Sequence, residues 1–318
     1  MKKLLSILLT ITLTLTASVL LTACGDTKLS YVEEDGDYYV SGILENAQKV
    51  VVPETYEGKA VVGIYEDAFT SNESIKEVVL PDSVTYIGGS AFKNCKNLTK
   101  INLNKVEVIE KSAFEGTKLD KITLSSVMSI DTGAFKNCKS LKNVTLSNDI
   151  LEIGKSAFYG CSALSDVDLG SVQKVGESCF NGCSSLVNIN LSKVKYFGRS
   201  SFMSCTSLDN IVLTNVIEVV HEVFNGCLSL SHITVGANAK VLHLTAFERC
   251  PLEAVYLLDP LNWVEWLIST ADNEHYGVYD FDKLGVDLSD PTVAKTRLTP
   301  NSWGGTHYFL KKGYNWHK

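Results

Sequence analysis

The stretch IGGSAFKNCKNLTKINL, Ile87 to Leu103, decides the fold because the chain repeats it. Its Phe92 belongs to a column with Phe69, Phe114, Phe135, Phe158, Phe180, Phe202, Phe224 and Phe247. The steps along that column are 23, 22, 21, 23, 22, 22, 22 and 23 residues. A small residue precedes most of these rings (Ala68, Ala91, Ala113, Ala134, Ala157, Cys179, Ser201, Ala246), with Val223 the exception. Five residues before each ring the side chain is apolar: Ile64, Ile87, Ile109, Ile130, Ile153, Val175, Phe197, Val219 and Leu242. Five or six residues after it stands Ile75 or a leucine, from Leu98 to Leu252. A period held this closely marks a stacked array of like units.

Each unit continues into a short alternating stretch, such as Val144-Thr145-Leu146, Val167-Asp168-Leu169 or Ile189-Asn190-Leu191. Alternation with period two predicts a strand with one buried face. A unit therefore holds one short strand, a turn, a second apolar rung and a bend centred on phenylalanine. None can bury its apolar face alone, so stacking must make a parallel sheet over one continuous core. The absence of proline between Pro81 and Pro251 agrees, because every strand must donate to a ladder.

These residues resemble the BspA-like leucine-rich repeat family, whose unit runs Ile-x-x-x-Ala-Phe-x-x-Cys-x-x-Leu-x-x-Ile-x-Leu. The resemblance covers about residues 50–258. It implies a leucine-rich-repeat solenoid: a curved parallel β-sheet of short strands, about nine repeats of 21–23 residues, capped at both ends. It also implies a secreted or surface-attached bacterial protein, often one involved in adhesion. Asn72 and Thr117 replace the column cysteine, and Val223 replaces the small residue.

The ends are read separately. Residues 1–23 have two lysines, an apolar run from Leu4 to Leu21 and then small residues, which is a secretory signal peptide. Leu21-Thr22-Ala23-Cys24 resembles the bacterial lipobox, which implies a diacylated Cys24 as the mature N-terminus and a membrane as partner. Two acyl chains at ~0.8 kcal/mol per CH₂ suffice for stable anchoring. Residues 24–30 read as a tether, 31–63 as an N-terminal cap, 64–258 as the repeat solenoid and 259–318 as an aromatic-rich C-terminal cap. That last part holds all four tryptophans (Trp263, Trp266, Trp303, Trp316), and a helix is expected over residues 260–270.

Composition bounds the function. The chain has 318 residues, 45% of them hydrophobic and 20% charged, with net charge −7, so it reads as a soluble folded chain, neither a polytopic membrane protein nor a disordered one. No lysine or arginine run is longer than the pairs Lys2-Lys3 and Lys311-Lys312, and nucleic acid is excluded as a partner. Seven cysteines fall three residues after the column phenylalanine: Cys95, Cys138, Cys161, Cys183, Cys205, Cys227 and Cys250. They read as buried hydrophobes, since stacked side chains would hold Cβ atoms ~4.8 Å apart, beyond the usual disulfide range. No Cys-x-x-Cys pair suggests zinc. His221, His232 and His243 are 11 apart, so neighbours fall on different faces and do not make a metal site. Phosphate loops, nucleophile elbows and zinc-protease motifs are absent, so neither a cofactor nor an enzyme is expected.

Function is then expected on the outward positions of the strands. The candidate ligand-binding residues are Lys100, Asn102, Lys121, Asp166, Asp168, Asn188, Asn190, Asn210 and His232, with Thr123, Asn143 and Thr145 between them. The reading is a membrane-anchored, non-catalytic scaffold that binds a host or envelope protein or glycan. Its rivals are a hydrolase or solute-binding lipoprotein acting through the C-terminal module, and a passive envelope spacer.

Overall fold

The computed structural model describes residues 28–259, 263–268, 275–280, 289–292 and 306–311. Cys24, the signal peptide and most of the tether lie outside them, as do Trp303 and Trp316.

Every repeat supplies two strands. The alternating stretches form one set, which includes Lys100–Ile101, Lys121–Leu124, Asn143–Leu146, Asp166–Val167, Asn188–Ile189, Asn210–Leu213 and His232–Val235. The second apolar rung, expected only as an inward contact, is also a strand. Tyr86–Ile87, Val108–Ile109, Ser129–Ile130, Glu152–Ile153, Lys174–Val175 and Tyr196–Phe197 form this set. The reason is mutual: a stack gives each rung a neighbour on both sides, and so a partner for its backbone N–H and C=O. Pairing is parallel and in register, with Lys121 opposite Asn143 and Ile87 opposite Ile109.

The rung strands join one long sheet that runs the length of the array. At the N-terminal end it continues into the antiparallel hairpin of Leu29–Glu34 and Asp37–Ile43. There Tyr31 stacks on Tyr56 at 3.9 Å, and Tyr38 meets Tyr56 edge-on. At the other end Val241–His243 pairs antiparallel with Thr306–Lys311, which pairs with Trp263–Ile268. Residues 263–268 are therefore a strand, and the helix expected over 260–270 is corrected. Two tryptophans, a valine and an isoleucine in six residues favour a pleated surface, and the last rung presents an edge that a strand can pair.

The nine column phenylalanines are the largest buried side chains. Successive rings are stacked with centroids 5.1 Å apart at Phe69–Phe92 and 5.8 Å at Phe224–Phe247. The backbone around them is laddered too. Phe92 N–H donates to the Ala113 carbonyl, Phe158 to Cys179 and Phe224 to Ala246. The residue before each phenylalanine thus lies between two bends, which is why it is small. Two residues past each ring the chain takes positive φ, at Asn94 (58°), Gly116 (74°), Gly160 (70°) and Gly182 (76°) among others. Glycine and asparagine adopt that left-handed conformation at least cost.

Each column cysteine donates its thiol to the phenylalanine carbonyl of the preceding repeat. The Sγ–O distance is 2.9 Å from Cys95 to Phe69, 3.1 Å from Cys161 to Phe135 and 3.2 Å from Cys205 to Phe180. A small apolar side chain with a weak donor suits this position. The departures from the pattern follow the same logic. Asn72 stands in the first repeat, where no earlier phenylalanine offers a carbonyl, and its Oδ1 accepts from Ser74 and Ile75 N–H instead. Thr117 hydroxyl meets Cys138 Sγ at 3.2 Å.

Burial pushes the Cys95 and Cys205 thiols up to about 12. The folded state therefore resists an ionisation that the unfolded chain undergoes near 9. Their contribution to stability is whole below pH about 9 and is lost as pH rises toward 12. We expect alkylating reagent at pH 8 to leave the six buried column thiols untouched and to reach only Cys250, which is half-buried. After denaturation it should label all eight free cysteines without reductant. A gain of label on reduction would show a disulfide that the core has no room for.

Candidate functional site: the outward face of the alternating strands

Alternation sends Ile122, Val144, Val167 and Ile211 into the core and their neighbours outward. Lys100, Asn102, Lys121, Thr123, Asn143, Thr145, Asp166, Asp168, Asn190 and Asn210 are all exposed, as the sequence implied. The register places Asn143 beside Asp166, and Asp166 beside Asn188. His232 is only half-buried; its Nδ1 lies 2.8 Å from Ser231 Oγ, and its ring lies parallel to Tyr256 at 6.4 Å.

The acid–amide group is organised by short local bonds. Asp168 Oδ1 accepts from Gly170 N–H at 2.9 Å and from Asn190 Nδ2 at 3.0 Å. Asn190 Oδ1 accepts from Ser192 N–H at 3.1 Å. These contacts hold the two side chains in line across neighbouring repeats. An open groove of about 520 Å³ lies here, lined by Asp166, Asp168, Asn190, Ser192, Asn210, Val212 and Thr214 with their inward neighbours. It sits where the ladder of alternating strands is interrupted: Asn188–Ile189 ends one sheet and Asn210–Leu213 begins another. A second interruption separates Lys100–Ile101 from Lys121–Leu124. There the leucine column advances only 21 residues, from Leu98 to Leu119, and Lys118 N–H donates to the Leu98 carbonyl where regular repeats bond one residue further on, as Lys142 N–H does to Asp120.

Histidine spacing hid one contact. His221 and His243 are a full repeat apart, and their rings meet at 3.4 Å between centroids. Burial, with the neighbouring His221 second, pushes the His243 imidazole down to about 3, and its Nδ1 accepts from Thr245. His232 lies elsewhere, on an alternating strand. Among the described residues no group of three histidine, cysteine or acidic side chains could hold a metal ion. The groove and the exposed lattice together offer hydrogen-bonding groups on a surface fixed by the strand ladder.

Such a stack of 21–23-residue units defines a leucine-rich repeat solenoid. The profile of the BspA type leucine rich repeat region matches residues 62–171 and 129–253 with 6 copies, and the chain belongs to that family. It is similar to the crystal structure of the T. pallidum leucine rich repeat protein at 32% identity and TM-score 0.54, over 57% of this chain and 87% of that one. A leucine rich cell surface protein of Faecalibacterium prausnitzii A2-165 is 18% identical with TM-score 0.40, over 76% of this chain and 96% of that one. The pneumococcal vaccine antigen PcpA is 16% identical with TM-score 0.38, over 76% and 88%. Among curated proteins none matches this chain.

Proposed function

We propose that this protein is a cell-envelope lipoprotein, anchored through Cys24 and exposed outside the membrane, whose solenoid is a non-catalytic scaffold for binding protein or glycan. Membership of a repeat family that generally occurs on bacterial cell surfaces supports the location. No helix among the described residues is long and apolar enough to cross a membrane. The observation that carries the binding role is the outward lattice itself. Carboxylates, amides, hydroxyls and lysines recur on successive strands ~4.8 Å apart and are held by a core that does not move with them. A surface without large exposed aromatics at its centre favours polar, multivalent recognition over one tight hydrophobic contact.

The ligand site on this reading is Asp166, Asp168, Asn188, Asn190 and Asn210 at the groove, with Lys100, Asn102, Lys121 and His232 to either side. A pull-down with the full-length chain against host matrix proteins and a glycan panel tests it. Selective, saturable capture supports a binder. Capture no better than that of an unrelated lipoprotein would leave a passive envelope spacer as the better description.

A further inference from the structure

The outward lattice is electrically divided along its length. Relative to the inward residues Leu98, Leu119 and Leu141, the flanking outward positions carry Lys96, Lys100, Lys118, Lys121, Lys139 and Lys142, all exposed. Only Glu73, Glu77 and Asp120 share this end of the face, and Glu77 is engaged by Lys49 at 3.0 Å. Among the described residues none of the six lysines forms an ion pair. Several other lysines around the solenoid do: Lys93 with Glu115, Lys155 with Glu177 and Lys174 with Glu152. Beyond Lys142 the equivalent outward positions, from Ser162 to Tyr256, contain no lysine or arginine and four acids, Asp166, Asp168, Asp209 and Glu253. The sequence shows no basic run because the stack, not the chain order, collects these charges.

We infer that the lysine cluster over residues 96–142 is a binding site for a linear anionic glycan, one bearing sulfate or phosphate groups along its length. The argument is charge and geometry. Lys118 N–H donates to the Leu98 carbonyl and Lys142 N–H to the Asp120 carbonyl, so three successive turns of the stack bring these cations to one end of the face even across the interruption of the ladder. Lys96, Lys118 and Lys139 each stand four residues after a column phenylalanine, at the turn, and Lys100 and Lys121 begin the strands on either side of the interruption. Thr123, Asn143 and Thr145 stand exposed beside them to meet sugar hydroxyls, while Asn97 and Asn102 are tied to the Glu73 and Leu80 backbone. Unpaired ammonium groups on a chain of net charge −7 make a local positive field rather than a general one. Of the exposed large apolar side chains, Leu151, Val212 and Tyr256 lie outside residues 96–142, and Met128 directly precedes the rung strand Ser129–Ile130 and is not on an alternating strand. A lipid bilayer would be held more firmly by apolar insertion, and single-stranded nucleic acid by aromatic stacking, and the cluster offers neither.

This inference deepens the scaffold reading by naming a ligand class for one end of the face. The test uses the full-length chain in non-ionic detergent with immobilised dextran sulfate as probe and unmodified dextran as the neutral polymer. Binding should appear only with the sulfated polymer and should weaken steeply as salt rises. The variant K96Q/K100Q/K121Q/K142Q should bind about ten-fold more weakly. The variant K155Q/K174Q/K193Q/K195Q removes the same charge elsewhere and should change binding by less than about two-fold. Absence of binding, or equal loss in both variants, overturns the site. Equal binding to phosphatidylglycerol presented in mixed micelles of the same detergent, through the same four lysines, overturns the glycan in favour of a membrane surface. Capture of a matrix protein that survives K96Q/K100Q/K121Q/K142Q would leave the scaffold reading standing while the polyanion fails.

Discussion

Replacement of Phe180 by alanine should destabilise the fold by about 3–5 kcal/mol, among the largest effects open to a single core residue. The ring is fully buried and stacks on Phe158 at 5.3 Å and on Phe202 at 5.1 Å. Its backbone also carries the ladder: the N–H donates to Ser201, and the carbonyl accepts from Cys183 N–H and from the Cys205 thiol. Removing the ring leaves a cavity between two bends whose backbones are pinned by their neighbours, so the site cannot collapse to fill it. Against a usual total of ~5–15 kcal/mol, this is enough to open the array. Since repeats contact only their neighbours, the opening should be local. Hydrogen exchange should show protection lost across roughly residues 153–208 and retained near Phe69 and Phe92. Unchanged local protection would mean that the phenylalanine column is not the core.

Replacement of Cys24 by alanine should abolish membrane association. The thiolate of Cys24 is the nucleophile that would accept the diacylglycerol, and alanine offers none. Two acyl chains contribute ~0.8 kcal/mol for each buried CH₂, and one chain alone binds only marginally. The variant should therefore appear as an uncleaved precursor or as a shed soluble form, with no acylated species by mass spectrometry. The wild-type chain should begin at a modified Cys24 in the membrane fraction. An unmodified Cys24 in membrane-bound mature protein would contradict the anchor.

Much of this architecture was legible in the chain because a solenoid writes its period directly into the sequence. Phe69 to Phe247 gave the stacking, and the alternation at Val144-Thr145-Leu146 gave the outward face. What escaped notice depended on neighbours in the stack. Ile109 and Ile130 read as inward contacts, and only their pairing as Val108–Ile109 against Ser129–Ile130 makes them strands. The left-handed positions two before most rings and two after every ring include Ser90, Ser112 and Ser156 and Asn94, Gly116 and Asn137, small or turn-favouring residues that mark paired turns. Cys95 was read as a hydrophobe, correctly as to burial, but its bond to Phe69 could not be seen without the preceding repeat. The Trp263–Ile268 strand was mistaken for helix because its partner, Thr306–Lys311, lies some forty residues further on. At the site, the exposure of Asp166 and Asp168 followed from alternation. The groove did not, since it arises from an interruption in the strand ladder that no local pattern announces.

The central claim is that the outward face of the alternating strands is the working surface, and one comparison tests it most directly. Binding to cells, or to whichever matrix component the pull-down captures, is measured for two variants of the full-length chain, each verified as folded. One carries Asp166→Ala, Asp168→Ala, Asn188→Ala and Asn190→Ala; the other carries Trp303→Ala and Trp316→Ala in the C-terminal module. The account predicts that the first loses most of its binding and the second keeps it. Binding that survives the first set and disappears with the second would contradict the account and place recognition in the C-terminal module.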